Sequence, residues 1–137
     1  MTSLPLNLED LIHARAVEDN RREFQAAWDD HVKVAVTRTV CAFANDLLNL
    51  NGGYLILGIE TDASGVPILP PRGMEGGNLD RIQREIRGQC RRLDPQYQPV
   101  LSVETYQGRS ILVIWAPGGD NRPYQDIIAD LEQALAR

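Results

Sequence analysis

The run Tyr54-Leu-Ile-Leu-Gly-Ile-Glu60, set directly behind Asn51-Gly52-Gly53, constrains this chain more than any other segment. It is almost continuously apolar. The glycines break the chain on one side of it, and a loop rich in glycine and proline, 61–77, follows on the other. Without polar alternation, such a run suits a strand buried on both faces.

The segments around it divide by period. Residues 7–19 read as a helix capped by Asn7, with Leu8, Leu11, Ile12 and Ala16 as its stripe. Residues 22–28 alternate enough for a short strand with Phe24 and Trp28 on one side. Asp29 and Asp30 then cap a helix over about 31–49, whose stripe is Val32, Val36, Val40, Phe43, Ala44 and Leu47. Gly52 and Gly53 are expected to end it, since glycine takes the left-handed backbone of a helix stop. Asn78 caps a third helix to about Leu93, with Leu79, Ile82, Ile86, Cys90 and Leu93 inward. Strands at 100–106 and 110–116 are joined by Gln107-Gly108 as a hairpin. A last helix is expected over about 124–136. Strands separated by helices imply an α/β sandwich. The loop 61–77 is the flexible candidate.

Its 137 residues make one domain, 1–137, large enough to bury a core without staples. No apolar run approaches the length of a membrane helix, and the N-terminus has neither a basic start nor an apolar centre, so no membrane partner or secretory signal is expected. Two cysteines, Cys41 and Cys90, fall on apolar helix faces, which suits reduced thiols in the cytoplasm. The net charge of −5 argues against nucleic-acid binding by bulk charge, so any such binding needs a local patch. No Gly-Lys pair occurs, which removes a phosphate-binding P-loop, and neither His13 nor His31 has a second ligand at metal spacing.

Three groups of residues can carry chemistry. Glu18, Glu23 and Glu60, with Asp62 just beyond, lie near strand ends, where sites of α/β sheets collect. If the three glutamates converge, they offer oxygen ligands to a divalent cation such as Mg or Mn, which would activate water against a phosphodiester. The alternative is an arginine partner for Glu18 and a solvated strand end at Glu60. The second group is the arginine row Arg81, Arg84, Arg87, Arg91 and Arg92, opposite the apolar stripe of the third helix. Each guanidinium offers a planar fork to phosphate oxygens. The alternative is an ordinary polar helix face on which Asp80 and Glu85 pair with some of these charges. The third is Arg122 and Tyr124 beside Gly118 and Gly119, able to grip a phosphate or base, or simply a turn with one packed tyrosine.

The segments Val40-Cys-Ala-Phe-Ala-Asn45 and Asn51-Gly-Gly-Tyr-Leu-Ile-Leu-Gly-Ile-Glu60 resemble the Schlafen/Alba-type DNA-binding domain of RecG-helicase-like proteins and bacterial transcriptional regulators. Glu18 with Arg22-Glu-Phe-Gln25, and Ile111-Leu-Val-Ile-Trp-Ala-Pro117 with Arg122-Pro-Tyr124, are similar to further elements of that family. The resemblance covers about 8–124. It implies an Alba-like βαβαββ core, to which this chain adds an N-terminal and a C-terminal helix. It also implies nucleic-acid binding in bacterial members and, in ribonuclease members, a three-carboxylate site. Glu18 and Glu23 match two of those acids, and the third falls on Glu60 or Asp62. The chain departs at Gln25, where a lysine is usual. It departs again at 46–50, which lengthen a helix by about a turn, and after Tyr124, where longer members continue into a strand and further domains.

Three readings therefore stand open. The first is a DNA- or RNA-binding module contacting phosphate through Arg81, Arg84, Arg87, Arg91, Arg122 and Tyr124. The second is a metal-dependent endoribonuclease using Glu18, Glu23 and Glu60. The third is a protein-interaction domain, such as a homodimer.

Overall fold

The computed structural model describes residues 7–13, 21–47 and 51–126. Its elements are α1 (Leu8–His13), β1 (Arg22–Gln25), α2 (Asp30–Asn45), β2 (Gly53–Leu57), α3 (Leu79–Cys90), β3 (Leu93–Asp94), β4 (Val100–Tyr106), β5 (Arg109–Ala116) and β6 (Gln125–Asp126). The principal sheet has four strands in the order β1-β2-β5-β4, with β1 parallel to β2 and the other pairs antiparallel. This is the βαβαββ order.

β2 is buried at every position. Its side chains alternate between two clusters, as a pleated strand requires. Leu55 and Leu57 join Val36, Val40, Ile82, Ile86 and Ile114 beneath α2 and α3. Tyr54 and Ile56 join Leu11, Ile12, Ile111 and Val113 beneath α1. The sheet is therefore covered on both sides, which is why its centre reads as unbroken apolar sequence. The β4–β5 turn has Gln107 at φ 49° and Gly108 at φ 79°, the left-handed pair that a two-residue hairpin demands.

Several boundaries differ from those expected. α1 is described over Leu8–His13, where the Arg22 guanidinium donates to Leu11 O at 3.1 Å and Ile12 O at 2.8 Å. The rest of the helix expected to 19 falls within 14–20, which lie outside the described residues. β1 ends at Gln25, so alternation does not carry through to Trp28. Phe24 packs on the α1 side while Trp28 packs on the α2–α3 side, not together as expected.

α2 stops at Asn45, short of the expected 49, because Asp46 adopts a left-handed conformation and its N–H donates to Ala42 O at 3.2 Å. Leu47, expected inward, is 88% exposed. Gln125 and Asp126 are strand, not helix: β6 pairs antiparallel with β3. The rest of the expected C-terminal helix, 127–136, lies outside the described residues.

The loop after β2 is tied down by hydrogen bonds. Asp62 Oδ1 accepts from the amides of Ser64 and Val66 at 2.8 and 3.0 Å, Ile68 N donates to Glu60 O at 2.8 Å, and Met74 N to Ser110 O at 2.7 Å. No helix among the described residues is long and apolar enough to cross a membrane.

Candidate nucleic-acid interface

α3 presents Leu79, Ile82, Ile86 and Cys90 to the core. At 3.6 residues per turn the opposite side carries Arg81, Arg84 and Arg91, with Arg87 at its margin. All four are exposed. Arg81 donates to Glu85 at 2.8 Å. Among the described residues, Arg84, Arg87 and Arg91 have no carboxylate within ion-pair distance. Arg92 is different: it is half-buried, donating from Nε to Asp126 at 3.1 Å and from Nη1 to Gln89 at 3.2 Å, which ties the end of α3 to β6.

Glu85 is the joint between the two helices of this layer. It accepts from Lys33 on α2 at 2.8 Å as well as from Arg81. The Lys33 hydrogen bond is the main reason its carboxyl sits below the usual range, against a smaller opposing effect of burial. One acid is thus shared between Lys33 and Arg81, and the rest of the row faces water.

Arg122 and Tyr124 are held by the fold. The Arg122 Nε donates to Gly119 O at 2.8 Å, and its Nη1 to Asn45 O and Asp46 O, both at 3.2 Å. It thus caps the C-terminus of α2, where a cation also meets the negative end of the helix dipole. Tyr124 is 5% exposed, its hydroxyl accepting from Asn121 N at 3.0 Å and its ring set edge-on to Tyr97. Asn45 pairs with both the N–H and the carbonyl of Tyr124, and the Cys41 thiol also donates to that carbonyl at 3.5 Å. That role of Asn45 was not assigned from sequence. The sequence carries no signal for it, since the apolar spacing of the helix continues past Asn45 to Leu47.

The carboxylates are placed separately. Glu18 lies outside the described residues. Glu23 on β1 accepts from Thr39 Oγ1 of α2 at 3.3 and 3.4 Å. Glu60 is exposed and pairs with Arg72 at 3.3 Å. Asp62, the other position for the third acid, organises its own loop. A cavity of about 520 Å³ opens beside β1, with Ile12, His13, Phe24, Thr61, Ser64 and Pro67 on its wall. Glu23 borders it, yet the Glu23 carboxylate is engaged with α2 on the other face of the sheet. Among the described residues no three His, Cys, Asp or Glu side chains gather to hold a metal ion.

A comparison with curated proteins finds no match. Among solved structures, the chain is similar to the N-terminal domain of a RecG-related protein from Nitrosomonas europaea. The identity is 31% and the TM-score 0.63, over 81% of this chain and 72% of that one. It also shares its fold with the DIP2311 protein from Corynebacterium diphtheriae, at 20% identity and a TM-score of 0.52. There it covers 87% of this chain but only 22% of that one. The family model described as Schlafen, AlbA_2 matches residues 18–133, nearly the whole chain, and the protein belongs to that family.

Proposed function

We propose that the chain is a nucleic-acid-binding module, with DNA its first candidate ligand, of the kind that serves a regulatory or RecG-like protein. One observation carries the reading. The solvent face of α3 holds Arg84, Arg87 and Arg91 with no acidic partner among the described residues, in a protein whose total charge is −5. An acidic chain that concentrates unneutralised guanidinium groups along one helix has the electrostatic footprint of local phosphate contact rather than bulk attraction. The name of the RecG-related relative, which refers to a DNA helicase, agrees with this class of ligand. In this reading Arg122 and Tyr124 hold the closing turn and touch no ligand, while Arg81 extends the contact row.

Fluorescence anisotropy at low salt with labelled DNA and RNA tests it. Binding that weakens steeply with salt is expected. Absence of binding at tens of micromolar protein, or a stable dimer in light scattering that buries the α3 face, removes the reading. The same labelled RNA is expected to stay intact with Mg or Mn. Metal-dependent cleavage that disappears in Glu23→Gln would put the endoribonuclease reading in its place.

A further inference from the structure

A second cavity, of about 220 Å³, lies between the β1–α2 connection and the loop leading into α3. Ala26, Ala27 and Trp28 form one wall, and Arg72, Asn78 and Arg81 stand on the others. The two alanines leave the space open, since larger side chains there would fill it. The volume is below that of a cavity enclosing a whole small-molecule ligand, roughly 300 Å³ or more, so it suits one group of a larger ligand.

The two guanidinium groups set the chemistry. Arg72 and Arg81 are 63% and 54% exposed, and each has a carboxylate in reach, Glu60 at 3.3 Å and Glu85 at 2.8 Å. A guanidinium has five donors, so one such pair leaves others for an anion, and an exposed ion pair is easily exchanged for a better one. The one acid on the cavity wall, Glu75, accepts from Asn78 Nδ2 at 3.3 Å. Arg81 is also the first arginine of the α3 row, so the cavity continues the same cationic track, which runs for roughly 15 Å from Arg81 to Arg91 at 1.5 Å per residue.

We propose that this cavity takes one phosphoryl group of the bound nucleic acid, with Arg72 and Arg81 as its ligands and Glu60 as the intramolecular anion that the phosphate displaces from Arg72. The proposal rests on the nucleic-acid reading and adds to it a defined end to the track. An internal diester and a terminal monoester share this chemistry.

Anisotropy titrations of the full chain with short labelled strands bearing a 5′-phosphate, a 3′-phosphate or neither separate the two sources. Arg72→Gln is expected to weaken binding about five- to tenfold and to lower the salt slope by about one contact. Equal loss on all three strands identifies an internal diester, and loss confined to one phosphorylated strand identifies a terminal group. Glu60→Gln is expected to tighten binding about two- to fivefold, and that gain should vanish when Arg72→Gln is also present, because the two residues act through one contact. Ala27→Phe, which plugs the space without changing charge, is expected to weaken binding as Arg72→Gln does. If Arg72→Gln and Ala27→Phe both bind as wild type while Arg84, Arg87 and Arg91 changed to Ala bind weakly, the cavity proposal falls and the nucleic-acid reading stands. If the wild-type chain binds no strand, both fall.

Discussion

The side-chain amide of Asn45 pairs with both backbone polar groups of Tyr124: Tyr124 N donates to Oδ1 at 2.6 Å, and Nδ2 donates to Tyr124 O at 3.1 Å. An amide that donates and accepts in this way stands in for a neighbouring strand. It fixes a loop 79 residues further along the chain against the end of α2. Gly119 N donating to Ala44 O at 2.8 Å and Arg122 reaching Asn45 O and Asp46 O complete the closure. The Arg122-Pro-Tyr124 turn is thereby explained as a latch on a helix terminus.

Asn45→Ala should cost about 2 kcal/mol, because the Tyr124 amide loses its partner and the Tyr124 carbonyl keeps only the weak Cys41 thiol donor at 3.5 Å. Asn45→Asp should cost a similar amount at neutral pH, since a carboxylate accepts from Tyr124 N but cannot donate to Tyr124 O. Urea midpoints of the two variants check this, and a midpoint near wild type for either would mean that the latch is dispensable.

Gly52 is the position where glycine is required most strictly. Its φ is +71°, and a Cβ there would fall on the backbone of Ala116 and Pro117. Gly65 has a similar φ of +82° with nothing within 4 Å of its Cβ direction. Gly65→Ala should therefore cost only the left-handed penalty of about 1–2 kcal/mol. Gly52→Ala adds a collision with main chain that cannot move cheaply, and should cost about 3 kcal/mol or more. Thermal unfolding of the pair separates conformation from space.

What could be read from sequence divides along the range of the interactions responsible. β2 was legible because burial on both faces leaves an apolar run, and the β4–β5 hairpin because Gln107-Gly108 suits its turn. The end of α2 was not: its apolar spacing continues to Leu47, while the stop is set by Asp46 and by Gly119 and Arg122 from the far end of the chain. β3 and β6 have two residues each, too few to show a period. The arginine row followed from helical spacing. That Arg92 and Arg122 are committed to Asp126 and to the α2 carbonyls depends on contacts across long separations. Arg72 carried no signal, since it lies in a loop beside two prolines and shows its place only once that loop folds back toward α3.

Changing Arg84, Arg87 and Arg91 together to Ala should weaken binding to every sequence alike. The magnitude of the salt slope should fall by about two to three units, since each phosphate contact contributes about 0.7 on single strands and 0.9 on duplex. Stability should move by no more than about 0.5 kcal/mol, because these side chains are exposed. A drop in affinity with an unchanged slope would mean that the arginines shape the surface without meeting phosphate.

Alkaline pH should loosen the fold from within the α2–α3 layer. Burial pushes the Cys90 thiol up to about 12, with the nearby Asp126 adding to the effect. The Tyr97 hydroxyl, donating to Pro117 O at 2.6 Å, is also raised, chiefly by burial. Both groups hold their protons more tightly folded than unfolded. As pH climbs past the ordinary thiol value, the unfolded chain releases a proton that the folded chain keeps, so the unfolded state binds fewer protons and stability falls. The Cys90 contribution is complete below about 9 and is lost progressively toward about 12. Cys90→Ala should start from lower stability, since it opens space in the core, yet show a shallower decline over that window. Urea midpoints at a series of pH values measure both slopes. Parallel curves for wild type and Cys90→Ala would show that the thiol does not couple folding to alkaline pH.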